Sequence, residues 1–395
     1  MQKRLFLIVL DSVGIGSAPD ASDYDDAGAA TLQHIAQAVG GLRLPILERL
    51  GLANILPLGA DHGPITGLRP VERPLASWGA MRERSQGKDT ITGHWEIAGL
   101  LLQPGFHVFP PATPAFPAEL TSAFATATHR PFIGNCHGSG TDLINRFGEE
   151  AHTQGAFLIY TSADSVFQIA AHTDVIPLNE LYAACEIARN LCDPYRVGRV
   201  IARPFKGEPG HYYRTPERID YAYATAEPTI LQHLQAQGIP VYSVGKIEDI
   251  FAHRGITQSW HTANNAASME QMETLIRKID HGFVFANFID FDMLYGHRRD
   301  PVGYANCLED FDRWLEHILP HLRPGDRLLL TADHGNDPIF KGSDHTRELV
   351  PLLVIDPEQP GHPLGLRDGF FDIAQSIADY FDAPPMARGR SFFSP

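Results

Sequence analysis

The chain has 395 residues, more than one core usually holds, so two domains are expected; 44% hydrophobic and 20% charged residues are ordinary for a soluble globular protein. A net charge of −15 argues against nucleic acid or an anionic membrane as the main partner, but not against a phosphate substrate, which responds to local charge. Four scattered cysteines, Cys136, Cys185, Cys192 and Cys307, form no C-x-x-C pair. They suggest neither a disulfide framework nor a zinc knuckle, and fit a reducing cytoplasm.

The first element is an apolar run, Leu5–Leu10, closed by Asp11. It is too short for the apolar region of a signal peptide and suits a buried central strand. No segment of the chain is long and apolar enough for a transmembrane helix. A helix follows over Thr31–Val39, with Leu32, Ile35, Ala36 and Val39 on one face. Strands are expected at Ile239–Val244, Phe283–Ile289, Arg327–Thr331 and Val350–Ile355, with helices at Thr229–Gln237, Met269–Ile279 and Ala305–Leu319 between them. This alternation predicts an α/β fold with a central, mostly parallel sheet. Two Pro- and Gly-rich stretches, near 104–117 and 204–216, bracket a middle region with its own strand and helix signals. Residues 101–220 are therefore expected to form a smaller inserted α/β cap domain, and 1–100 with 221–395 the discontinuous core.

In an open α/β sheet, ligands bind beyond the carboxyl ends of the strands. Three expected strands end in acids: Asp11, then Asp290 and Asp292, then Asp333 followed by His334. His297 and His345 are within reach from loops. Three carboxylates and three imidazoles suffice for two metal ions, and a mixed N/O set without thiolate suits Mn²⁺ or Zn²⁺ better than Ca²⁺. Singly, each of these residues is as well explained by a helix cap or a surface position. Asp290, two residues from Asp292, is expected to support a ligand rather than to be one. The segment Gly87-Lys88-Asp89-Thr90-Ile91-Thr92-Gly93-His94-Trp95-Glu96 is not a Walker A loop, because Arg82 and Asp89 occupy positions that need Gly and Ser/Thr. It does offer hydroxyl nucleophiles ahead of a helix, Thr90 or Thr92, with Lys88 beside them. Bridging to metal would activate such a hydroxyl; a role for Thr90 as no more than that helix's cap explains it equally well.

Taken together, residues 87–96, Tyr160–Ala171, Gly296–Asp300 and Thr331–Glu348 resemble the bacterial phosphopentomutases of the alkaline phosphatase superfamily, and the similarity runs over nearly the whole chain. The resemblance implies an alkaline-phosphatase-like core with an inserted cap, two Mn²⁺ ions and a phosphothreonine intermediate. One ion would take Asp11, Asp333 and His334, and the other Asp292, His297 and His345. Thr90 would be the phosphorylated residue touching both, because the Gly93-His94 pair follows it at the superfamily's spacing. The substrates would be pentose phosphates, with a sugar bisphosphate as priming activator. Lys88, Asp164, Arg199, Arg214 and Lys246 are the candidate substrate contacts, with Arg203 and Arg218 as substitutes for either arginine. The rival readings are a metal-dependent phosphatase or a cofactor-independent phosphoglycerate mutase, and a non-catalytic metal-stabilised binding protein. The cap run Cys136-His137-Gly138 departs from the family's usual text, as does Thr173. Oligomeric state is not legible.

Overall fold

The computed structural model describes residues 3–55, 63–162, 164–223 and 227–393. The chain divides into two compact units, residues 1–103 with 226–395, and residues 104–225. The second unit extends past the expected end at 220 because the strand Ile219–Ala222 pairs with Arg199–Lys206 inside it.

The first unit is built on an eight-stranded sheet. The strand Arg4–Leu10 lies at its centre, parallel to Gly282–Phe288 on one side and to Arg327–Thr331 on the other. All seven residues of Arg4–Leu10 and of Gly282–Phe288 are buried, as expected for strands covered on both faces. Val241–Val244 and Gln258–Trp260 extend the parallel part outward. Beyond Arg327–Thr331 the direction reverses: Val350–Ile355 runs antiparallel to it, Ser77–Met81 antiparallel to that, and Pro363–Arg367 closes the edge. The last two strands were not expected. Ser77–Met81 carries a glycine at its centre, and Pro363–Arg367 contains Pro and Gly and is exposed or half-buried, so neither has a strand's usual apolar signature. The helix Pro301–Ile318 buries Leu308, Phe311, Leu315 and Ile318, one stripe at helical spacing.

The second unit has a six-stranded mixed sheet. Helices Ala118–Thr128 and Leu178–Cys192 contribute to one apolar cluster with Phe157, Phe167 and Val200, and Gly140–Gln154 to another with Leu158, Tyr160 and Phe205. The departing run at 133–141 contains a register shift between Gly134 and Cys136. There Asn135 takes a positive φ, and its side-chain oxygen accepts hydrogen bonds from Ala115 N and Phe116 N. The segment is thus a structural bulge that holds the chain entering Ala118–Thr128. Among the described residues, no helix is long and apolar enough to cross a membrane.

Candidate active site and metal centre

The parallel strands deliver their acids to one end of the sheet. Leu10 pairs with Phe288 and Val9 with Thr331, so Asp11, the turn after Phe288 and the segment after Thr331 leave the sheet side by side. Two groups result, Asp11 with Asp333 and His334, and Asp292 with His297 and His345; within each group the potential ligand atoms lie within 4.8 Å of one another. The rings of His334 and His345 stack at 4.0 Å between centroids, which brings the groups together. Asp292 lies beyond the strand end. The strand ends at Phe288, and a π-helical turn over Phe291–Gly296 carries Asp292 into place. A single π turn re-aims side chains relative to an α-helix, a device common at functional sites.

Backbone and side chains around each ligand fix its orientation. Ser12 adopts φ 73°, a conformation unfavourable for a residue with a Cβ. This directs its N–H to Asp333 Oδ1 at 3.1 Å, while its hydroxyl meets the buried Tyr304 hydroxyl at 3.0 Å. His334 Nδ1 donates to the Gly335 carbonyl and His297 Nδ1 to the Ser343 carbonyl, so each ring keeps its Nε2 lone pair for a ligand. Asn336 Nδ2 donates to Asp292 Oδ1 at 2.7 Å. Asp290 turns instead to Asn265, accepting from its backbone N–H and donating its own to the Asn265 side chain, so it holds the start of helix Asn265–Lys278.

The charges of the cluster are mutually strained. Burial raises the Asp11 carboxyl well above its ordinary range, and the neighbouring Asp333 and Asp292 raise it further. Burial also pushes Asp292 and Asp333 upward, but His345 and His297 beside the first, and His334 and His94 beside the second, outweigh it and hold both low. Burial lowers His334. Asp11 Oδ1 is buried and accepts no hydrogen bond among the described residues, although His334 Nε2 lies 3.5 Å away. A buried acceptor without a donor, crowded by like charges, is what a bound cation resolves. Three oxygen and three nitrogen donors without thiolate fit divalent ions, and two candidate sites of this kind are found among the described residues.

Thr90 opens the helix Thr90–Ile97. Its cap is Asp89, whose carboxylate accepts from Ile91 N and Thr92 N, so the Thr90 hydroxyl is not spent on capping. It lies 3.3 Å from His334 Nε2. Thr92, the other hydroxyl considered, is buried and donates to Asp89 Oδ2 at 2.6 Å. A Cβ added to Gly93 would fall 2.3 Å from the Asp333 carbonyl oxygen, so only glycine lets this helix sit so close to the ligand segment.

The remaining candidates separate into two sets. Lys88 is ion-paired to Asp26 at 3.0 Å and to Asp344 at 3.5 Å. Asp26 is buried and also accepts from Arg347 N. Lys246 lies close enough for its charge to lower Asp11. In the second unit, Arg199 pairs with Asp164 at 3.1 Å and Arg214 bonds the Tyr160 hydroxyl at 3.3 Å. Arg203 and Arg218 belong to the same cluster: Arg218 pairs with Asp220, and burial, reinforced by Arg218, lowers the Arg203 guanidinium to about 10. Four guanidiniums face two carboxylates, Asp164 and Asp220, leaving two net positive charges in that cluster. Sequence reasoning did not reach Asn287, Asn336 or Arg347. The last is buried and bonds Asp20, Glu83 and the Gly87 carbonyl, tying the His345 segment to the loop before Thr90.

A family model described as the metalloenzyme superfamily matches residues 3–385, and the chain belongs to that class. The phosphopentomutase of Anaeromyxobacter sp. (strain Fw109-5) is 50% identical over 392 residues, covering 99% of this chain and 98% of the relative. That of Anaeromyxobacter sp. (strain K) is 50% identical over 382 residues, covering 96% of each. Among solved structures, a Leishmania mexicana phosphoglycerate mutase aligns at 12% identity with a TM-score of 0.49, covering 99% of this chain and 97% of that one. Within the superfamily, the chain belongs to the phosphopentomutases, which are isomerases.

Proposed function

We propose that this enzyme interconverts ribose 1-phosphate, or 2-deoxyribose 1-phosphate, with the corresponding 5-phosphate, through phospho-Thr90 and a sugar bisphosphate. The observation that carries the reading is the Thr90 hydroxyl, free of the capping role and 3.3 Å from His334 Nε2 beside two triads of candidate ligands. Asp11, Asp333 and His334 would hold one ion, and Asp292, His297 and His345 the other; the donor set suits Mn²⁺ or Zn²⁺, and the resemblance to phosphopentomutases implies Mn²⁺. When bound, such ions neutralise phosphoryl oxygens and lower the pKa of a coordinated hydroxyl.

The chain's own residues do the rest. Phospho-Thr90 gives its phosphoryl group to the free hydroxyl of a pentose phosphate: the bond from phosphorus to Thr90 Oγ1 breaks, one to the sugar oxygen forms, and the hydroxyl proton passes to the threonine oxygen. The bisphosphate reverses in the site and returns its other phosphoryl group to Thr90, releasing the isomer. A sugar bisphosphate would prime an unphosphorylated enzyme. Helix Thr90–Ile97, capped by Asp89, fixes the position of the nucleophile. The guanidiniums of Arg199 and Arg214, with Arg203 and Arg218 as substitutes for either, are the proposed phosphate contacts of the second unit, since Arg grips phosphate through paired donors. Asp164 would accept from a sugar hydroxyl. Lys246 suits a phosphate near Asp11, and Lys88 acts first on Asp26, so its contact with substrate would be secondary.

Incubation with ribose 5-phosphate, Mn²⁺ and a sugar bisphosphate primer tests this. Ribose 1-phosphate should appear, and no phosphate should be lost. Release of inorganic phosphate without ribose 1-phosphate would instead identify a phosphatase.

A further inference from the structure

Asn287 is a polar residue in an otherwise apolar central strand, fully buried, and none of the roles above uses it. Its amide nitrogen lies 3.1 Å from Asp11 Oδ2 and 3.2 Å from His94 Nε2. His94 is fully buried too, its ring stacked on Phe285 at 5.8 Å. On its other side, His94 Nδ1 lies 2.8 Å from the Thr90 carbonyl oxygen and 3.1 Å from Asp333 Oδ2. A carboxylate that ligates a cation can only accept, so Asn287 must turn its NH₂ group toward Asp11. That group's second proton then points at His94 Nε2, which must accept. The one proton on a ring held this way is on Nδ1, where both facing atoms are acceptors.

We propose that Asn287 and His94 are positioning residues that join the two halves of the reaction centre. Asn287 selects the Nδ1–H tautomer of His94, and that N–H is donated to the backbone carbonyl of Thr90, with Asp333 Oδ2 3.1 Å from the same nitrogen. The orientation of Asp11 on one strand is thereby coupled to the placement of Thr90 and Asp333 through a single imidazole. The chain of contacts explains why a buried amide is kept in a strand that otherwise excludes polar groups. It rests on the reading of Asp11 and Asp333 as ligands and of Thr90 as nucleophile.

The tautomer is read directly by long-range ¹H–¹⁵N correlation spectra of full-length protein labelled with ¹⁵N-histidine and loaded with diamagnetic Mg²⁺. The His94 signals are identified by their loss in either His94→Asn or His94→Gln. The wild type should show a protonated Nδ1 and an unprotonated Nε2, and Asn287→Asp, which replaces the donor with an acceptor, should shift the proton to Nε2. A wild-type His94 protonated at Nε2, or an Nδ1–H tautomer that persists in Asn287→Asp, would overturn the proposal. Kinetics give a second readout. Asparagine at 94 places a donor where Nδ1 was, and glutamine reaches only to the Nε2 position. His94→Gln should lose about 10–100-fold in kcat with KM little changed, and His94→Asn clearly less. Equal losses in the two variants would count against the Nδ1–H donor. The tautomer requires no turnover, so its failure is distinguishable from failure of the mutase reading.

Discussion

The two candidate metal triads are made from similar residues by different means. Asp11, Asp333 and His334 leave the ends of adjacent parallel strands and are all buried. Asp333 is held by Ser12 N and Asp11 by Asn287. Asp292, His297 and His345 come from a π turn and from the segment that returns to the sheet, and the His297 side chain is 40% exposed. Their supports are an asparagine and a loop carbonyl. Strand-end ligands are fixed by the hydrogen-bonded ladder, whereas turn and loop ligands are fixed by a few local bonds. A site of the first kind should hold its ion and its geometry more tightly than one of the second.

Substitution should separate them most sharply. Asp333→Asn removes a charge from the buried triad beside Thr90 and should lower kcat/KM on the order of 10³-fold, without recovery at high metal concentration. His297→Ala should cost about 10–100-fold, and millimolar metal should restore part of it. Equal, unrescuable losses in steady-state assays across a metal titration would erase the distinction. Chelation gives a gentler contrast. As a chelator is titrated in, element analysis should find one ion per chain leaving first, and Asn336→Ala should make that ion leave sooner while the second is unaffected. Simultaneous release would contradict the comparison.

The smallest effect concerns how the looser triad is anchored. Glu348 closes the segment that carries His345 and accepts from Gly16 N, Thr31 N and the hydroxyls of Thr31 and Thr346. Burial, with Asp337 nearby, raises its carboxyl from 4.5 to about 7 against those donors. A raised acid binds a proton in the folded chain that the unfolded chain has released, so this contribution to stability is full below 4.5 and declines as pH rises to about 7. Glu348→Gln cannot titrate. The stability advantage of the wild type over this variant should shrink by about 2–3 kcal/mol between about pH 5 and pH 8 in denaturant melts. A constant gap would mean that Glu348 is ionised throughout.

The strand-end triad was the more legible in the sequence, for the same physical reason that it is rigid. An apolar run closed by an acid marks both a strand and the place where its side chain must emerge, and Asp11 and Asp333 stand at such places. Asp292 was legible as a residue after the strand, but not the π turn that carries it, because such a turn depends on local hydrogen bonding that residue types do not reveal. Thr90 and Thr92 could be ranked only through a family spacing. The structure separates them physically, since Asp89 occupies the cap and binds the Thr92 hydroxyl. Arg347 gave no signal, because burial of an arginine depends on partners as distant as Asp20 and Glu83. Asn287 did leave a trace, an amide inside an apolar strand, but its partners come from other strands and helices and no local pattern names them. In the second unit, four arginines were visible as candidates, yet which of them share a cluster is decided by the pairing of residues 199–206 with 213–214 and with 219–222.

The central claim is that Thr90 carries the phosphoryl group between sugars, and intact-mass spectrometry with site mapping tests it most directly. After incubation with a sugar bisphosphate, the wild type should carry one phosphate, mapped to Thr90. Ribose 5-phosphate should discharge it as a bisphosphate, and Thr90→Ala should never acquire it. A phosphate mapped to another residue, or one on Thr90 that only water can remove, would contradict the account.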